Sequence, residues 1–290
     1  MLSGKSEFHQ PQLCPRNLTS DSLFYPNDLS SKLSWDGVPD KNGIPMNRLS
    51  DGQYFYFPIS LCQKAIALYE NNQMVDFLQL TSFIVSLIDE NGGLDCWSKS
   101  GKGTITNYSS MAQGQVISVL FRAHVLTRED KYVSAAKSAY DCLMNIENSI
   151  FYREDGVVFF DETPKPGKDI ILNGWIFTLW GILDFNRLVN GHDENYEFLE
   201  YSHQLAKVLH RFDNGFWSLY SDGGSIASPF YHDLHIEQLK AMYILTNISE
   251  FNEYAEKFSS YKVSRCKKNY AFIKKAFQKI TEKSFNEFVE

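Results

Sequence analysis

The chain has 290 residues, of which 43% are apolar, 15% aromatic and 22% charged, a globular composition with length for one large or two small domains. Thirty-five acidic side chains against 28 basic ones give a net charge of −7, which argues against a general nucleic-acid binder. The five cysteines (Cys14, Cys62, Cys96, Cys142, Cys266) are odd in number and form no C-x-x-C pair, so neither a disulfide framework nor a zinc site is suggested. Free thiols fit a reducing compartment.

Residues 1 to about 50 form an irregular arm rich in Pro, Ser and Asn, and its charged, Pro-containing start does not read as a signal peptide. The arm is expected to pack across the rest of the chain, residues 51–290, or to be partly disordered. There is no apolar run of about 18 residues, so a soluble, cytoplasmic protein without a membrane span is expected.

From there a helical unit repeats. Amphipathic helices are predicted over about 74–89, 131–148 and 194–212. Each runs into a turn and a short aromatic stretch: "ENGGLDCW" (Glu90–Trp97), "EDGVVFF" (Glu154–Phe160) and "DNGFWSLY" (Asp213–Tyr220). Asn-Gly and Asp-Gly before aromatic and β-branched residues predict hairpins. More apolar helices are predicted from "YFPISLCQKAIALY", "YSSMAQGQVISVLF", "ILNGWIFTLWGILDF" and "FYHDLHIEQLKAMYIL". Alternation of amphipathic and nearly all-apolar helices suggests an outer and an inner ring. The expected fold is mainly α, an α/α toroid of about four helix pairs with hairpins at one end. A plain helical solenoid, in which Gly114 and Gly174 only permit close packing, is the alternative.

Polar residues at the inner-helix starts would line a central cavity. Tyr231 and His235 are four apart on one helix face, with Gln238, while His232 and Glu237 point elsewhere. His232 and His235 could be half of a metal site or satisfied core histidines, but no second ligand group accompanies them. After the second hairpin, Asp161 reads as a solvated turn residue, and Glu162, aimed oppositely by strand alternation, is the better catalytic candidate. Lys165 and Lys168 are nearby cations for an acidic substrate. Tyr220 ends the third hairpin strand and could exchange a proton if its neighbours tune it. Of Gln113 and Gln115, only one can face a ligand, and Gln113 is the expected one. No G-x-S-x-G, P-loop or G-x-G-x-x-G is present; "SGKGT" (Ser100–Thr104) lacks the glycine and strand a P-loop needs.

Four blocks, in order, resemble the C-terminal catalytic domain of D-glucuronyl C5-epimerases: "YSSMAQGQVISVLFRAHVLTRED" (Tyr108–Asp130), "ILNGWIFTLWGILD" (Ile171–Asp184), "YHDLHIEQL" (Tyr231–Leu239) and "SSYKVSRCKKNY" (Ser259–Tyr270). They span roughly residues 40–275. The sequence looks like a short, bacterial-type member without the N-terminal β region and membrane anchor of the animal enzymes. The resemblance implies an α/α barrel and conversion of D-glucuronate to L-iduronate within a polysaccharide or lipid-linked oligosaccharide, with no cofactor or metal. It implies catalytic roles for Glu162, Tyr220 and Tyr231, to which His235 is added. Gln113, Tyr108, Asn173, Lys168 and His232 are the candidate substrate-binding residues. An anionic glycan is the expected partner, and a homodimer is compatible with the sequence. Two positions depart from the family: Thr163 replaces a tyrosine, and Tyr220–Gly223 reads Tyr-Ser-Asp-Gly where Tyr-Asp-Leu-Arg is usual, so an arginine is missing. One acid/base group and one carboxylate-binding cation must then come from elsewhere, with His235 and Lys168 as candidates, or the substrate and reaction differ. A uronate lyase or glycoside hydrolase, and a non-catalytic glycan-binding relative, are the other readings.

Overall fold

The computed structural model describes residues 11–191 and 195–281. Their fold is mainly α. The amphipathic helices are α2 (Met74–Ser86), α4 (Asp130–Met144), α6 (Tyr196–Val208) and α8 (Ser249–Val263), and the apolar ones α1 (Pro58–Glu70), α3 (Ser110–Thr127), α5 (Leu172–Asn190) and α7 (Pro229–Thr246). A last helix, α9, covers Arg265–Thr281. The apolar helices pack in sequence, α1 on α3, α3 on α5 and α5 on α7, and each carries the following amphipathic helix on its outer side. This is the inner and outer alternation that the hydrophobic pattern predicts.

The helix starts follow local chemistry. The Ser109 hydroxyl caps α3 by accepting from Ala112 N–H, and Ser228 caps α7 by accepting from Tyr231 N–H, with Pro229 in the first turn. Gly114 serves helix packing. A Cβ there would lie 2.7 Å from Thr178 Cα, and one on Gly181 would lie 2.3 Å from Gly114 Cα, so α3 and α5 touch backbone to backbone. Gly114 thus permits the close approach of the α5 backbone.

Of the three predicted hairpins, one is regular: β4 (Phe151–Glu154) pairs antiparallel with β5 (Val157–Phe160). The first is a turn in which the Asp89 carboxylate accepts from Asn91 and Gly93 N–H. The third holds only isolated bridges, Asp213 to Ser218 and Leu219 to Ile226. Asx-type bonding to the turn competes with ladder formation in both.

The N-terminal arm contains a small antiparallel meander of β1 (Val38–Pro39), β2 (Pro45–Arg48) and β3 (Tyr54–Phe55). Ahead of it, the arm packs on all four apolar helices. Tyr25 is buried against Phe177 and Trp180 of α5, with the Arg122 guanidinium of α3 5.2 Å from its ring centre. Asn71, at the end of α1, donates to Ser30, and Cys14 N–H donates to Glu237 of α7. Arg122 is almost wholly buried. It binds Asp184 at 2.7 Å and Glu70 at 3.2 Å and donates to the Leu23 carbonyl, tying the arm to α1, α3 and α5. Arg187 adds a bond to the Ser20 carbonyl.

Candidate active site

Glu162 follows β5 and folds back onto the first turn of α5. A Cβ on Gly174 would come 2.3 Å from Glu162 Oε2 and 2.8 Å from its Cβ, so the carboxyl lies directly on a glycine of the helix start. That position places a negative group at the positive end of α5. The Glu162 carbonyl accepts from the Trp97 indole N–H at 3.0 Å, while buried Oε2 has no hydrogen-bond partner. Burial pushes the Glu162 carboxyl up to about 7, Lys102 pulls it back, and Asp161 adds to the rise. An acid/base group with that affinity suits proton transfer near neutral pH.

Asp161 is not a solvated turn residue. It is 2% exposed, and its carboxylate accepts from Thr163 N–H at 2.9 Å. Burial raises its affinity for the proton to about 7, against the lowering effect of that bond. Asp161 N–H still pairs with the Ile150 carbonyl at 2.9 Å, and the chain bends at residues 162–163, with both carboxyls buried.

Tyr220 reaches the same place from the third loop. Its carbonyl accepts from Leu172 N–H at 3.1 Å, and Ser221 bridges to Ile171, which fastens this loop to the start of α5. The Tyr220 hydroxyl is pushed well above its ordinary range, first by burial and then by the Glu162 charge. Its ring packs on that of Tyr231, in the first turn of α7, at 4.6 Å between centres. Glu162, Tyr220 and Tyr231 thus converge where the starts of α5 and α7 meet.

His235 lies one turn further into α7 and is fully buried. Ser218 links it to His232: the hydroxyl is 2.7 Å from His232 Nδ1 and 3.0 Å from His235 Nδ1. His232 Nε2 lies 3.1 Å from the Phe258 carbonyl, to which it donates, so its Nδ1 accepts. Ser218 then donates to His232 and accepts from His235 Nδ1–H, which leaves His235 Nε2 with a lone pair; it has no partner. This tautomer is assigned from the network. Burial holds both rings neutral, His232 at about 4 and His235 at about 3. His232, stacked on Trp217, is committed to the interior on both nitrogens.

The remaining sequence candidates fall in different places. Gln113 does not face a ligand: its amide accepts from Leu94 N–H and donates to the Gly92 and Ala139 carbonyls, so it ties the first turn. Gln115 instead meets Tyr25 of the arm. Tyr108 donates to Asp89 at 2.6 Å and packs on Gly93, again within the first turn. Asn173 sits beside Gly174 at the start of α5, its carbonyl 3.4 Å from the donating Gln238 amide. Lys168 is exposed, paired with Glu154 at 3.2 Å and 4.0 Å from the Tyr152 ring centre.

The cation whose charge favours ionised Glu162 is Lys102, within "SGKGT". Its ammonium lies 4.4 Å from the centre of the Trp97 ring, the same indole that donates to Glu162. Flanking Gly101 and Gly103 have φ of +62° and +65°, and Ile105 N–H bonds the Pro164 carbonyl, holding this loop against the one that follows Glu162. The only signal in the sequence was a lysine between two glycines ahead of α3. Among the described residues, no three His, Cys, Asp or Glu side chains group as a metal site, and no helix is long and apolar enough to cross a membrane.

Residues 99–260 match the family model of the D-glucuronyl C5-epimerase C-terminus. The chain belongs to this family. It is 28% identical over 155 residues to a D-glucuronyl C5-epimerase of Caenorhabditis elegans, covering 46% of this chain and 25% of that protein. It is 25% identical over 159 residues to an uncharacterized protein of Methanocaldococcus jannaschii, covering 51% of this chain and 50% of that one. The matches thus span half or less of these relatives' length. Among solved structures, a polysaccharide lyase aligns with TM-score 0.47 at 14% identity, covering 70% of this chain and 58% of that one. A cellobiose 2-epimerase from Spirochaeta thermophila aligns with TM-score 0.45 at 16% identity over 69% and 57%. The family model ends at residue 260, so the tail block around Ser259–Tyr270 lies almost wholly outside it.

Proposed function

We propose that this protein inverts C5 of D-glucuronate residues in a polysaccharide or lipid-linked oligosaccharide, giving L-iduronate, in the cytoplasm. Residues 51–290 would form the catalytic domain, an α/α toroid whose inner side the arm occupies. The observation that carries the reading is the meeting of a buried carboxyl, Glu162, with the Tyr220–Tyr231 pair and a nearby cation at the start of α5.

In this mechanism ionised Glu162 takes the C5 proton from one face of the sugar. The electron pair left on C5 delocalises into the adjacent carboxylate, and Lys102 offsets the charge that builds there. Tyr231, backed by Tyr220, delivers a proton to the opposite face; Glu162 then releases the C5 proton to solvent and the tyrosine takes one up, which restores both groups. No bond to a ring substituent breaks, so the product is an isomer of the substrate. Lys102 takes the part of the arginine that Gly223 replaces, and the neutral His235 fixes the geometry of α7 behind Tyr231. Asn173, at the start of α5, would touch the sugar.

The test is incubation of the chain with glucuronate polymers in D₂O, read by NMR at C5. Deuterium uptake with an iduronate signal, lost in Glu162→Gln, is expected. An unsaturated product absorbing in the ultraviolet would mean a lyase. Shorter chains without deuterium at C5 would mean a hydrolase, and no exchange in any uronate polymer would remove the catalytic reading.

A further inference from the structure

Helix α9 differs from the helices before it. Arg265, Lys267, Lys268, Lys274, Lys275 and Lys279 lie in it, with no Asp or Glu between residues 265 and 281, in a chain whose net charge is −7. Its only buried residue is Ala271. One side is strapped to the third loop: Lys267 donates to the Gly215 carbonyl, Gln278 donates to Gly224 and accepts from Ile226, and Tyr270 packs edge-on against Phe216. The helix is therefore held to the body at both ends of its length.

Elsewhere on its surface the apolar side chains are bare. Ile273, Phe277 and Ile280 recur at spacings of four and three, which puts them in one stripe, with Phe272 beside it. Their exposures run from 54% to 82%. Single exposed apolar residues are ordinary, but a stripe of three large ones with a fourth on the same helix is not. Lys274 flanks it on one side, Arg265 and Lys279 on the other.

We propose that α9 docks the protein onto an anionic lipid bilayer, lying in the plane of the interface. The charge pattern selects this occupant. A second copy would bring one cationic helix against another, with no carboxylate on either to pair across the seam, which disfavours self-association. A bilayer with anionic headgroups complements both features: Phe272, Ile273, Phe277 and Ile280 enter the boundary between headgroups and acyl chains, and the flanking cations reach the phosphates. The helix is too polar overall to cross the membrane, so it lies on it. This inference does not depend on the reaction proposed above.

The test uses the full chain, sedimented with vesicles of equimolar phosphatidylglycerol and phosphatidylcholine and with vesicles of phosphatidylcholine alone. Binding to the anionic vesicles is expected, weakening as salt is raised. The double substitution Ile273→Asp and Phe277→Asp should weaken it at least about tenfold, since two large side chains lose their burial. Lys274→Glu with Lys279→Glu should weaken it selectively for the anionic vesicles. Thermal unfolding of the apolar variant should match the parent, because Ile273 and Phe277 are exposed. Equal partitioning of the parent into both vesicle types, no partitioning, or unchanged binding of the apolar variant would overturn the proposal. A concentration-dependent dimer that binds no vesicles and is abolished by Phe277→Asp would overturn it in favour of a second copy.

Discussion

Replacing Glu162 by Gln should make the protein's stability respond differently to pH. The folded chain holds the Glu162 proton up to about pH 7, against an ordinary value of 4.5, because burial penalises the charge. A carboxyl raised in this way contributes its stability below the unfolded value, and that contribution is lost as pH rises through the folded one. At pH 8 the parent therefore carries an ionised group in a site that disfavours it, and the glutamine variant does not. A carboxyl raised from 4.5 to about 7, at 1.36 kcal/mol for each tenfold change in proton affinity, carries a penalty of about 3 kcal/mol at pH 8. At pH 5 most of it is gone, leaving under about 1 kcal/mol. The stability of Glu162→Gln relative to the parent should thus be more favourable at pH 8 than at pH 5 by roughly 2–3 kcal/mol. Any cost of fitting the amide against Gly174 is common to both pH values and cancels. Urea denaturation of parent and variant at the two pH values, followed by tryptophan fluorescence, measures this difference directly. A pH-independent difference, or one of opposite sign, would show that the carboxyl is not held in its neutral form and would refute the reasoning.

Arg122→Met should cost about 3–5 kcal/mol of unfolding free energy, because buried Asp184 loses its 2.7 Å partner and keeps only Arg187 at 3.7 Å; early proteolysis of the arm at low protease concentration would report the loss of its tether to Leu23. Gly114→Ala should cost at least about 1–3 kcal/mol, as its Cβ meets the Thr178 backbone and cannot be accommodated by a side-chain rotation, whereas Gly156→Ala, with open space around it, should suffer only from its positive φ. Gly174→Ala should displace the Glu162 carboxyl and remove C5 exchange while leaving the circular dichroism spectrum unchanged. With the deuterium-exchange assay as readout, kcat/KM should rise as pH passes through about 7. Lys102→Met should move that rise to higher pH, since the lysine favours ionised Glu162; an unmoved profile would separate Lys102 from the site.

The helices and their order were legible because periodicity reports burial directly: α3 and α5 are apolar nearly all round and are inner helices, while α4 and α6 are amphipathic and lie outside. The family was legible in the Tyr108–Asp130 block, which combines that periodicity with Gln113, Gly114 and Gln115. The uses of those residues were decided only in three dimensions. Whether Gln113 or Gln115 faces a ligand depends on where Leu94, Ala139 and Tyr25 come to lie, and none of these is a sequence neighbour. Gly114 could serve a sugar or a helix, and the contact with Thr178 selected the helix. Asp161 and Glu162 were adjacent carboxylates in a turn; their burial, and the rise in proton affinity that follows, comes from α5 and the loops around them. Lys102 carried no motif, and it became a candidate only through its place over Trp97 and the pull of its charge on Glu162. Sequence alone thus determined most of the helical segments, though not α8 and α9, because hydrophobic period is local. Tertiary structure decided which polar groups meet, because desolvation and charge pairing depend on distances between segments far apart in the chain.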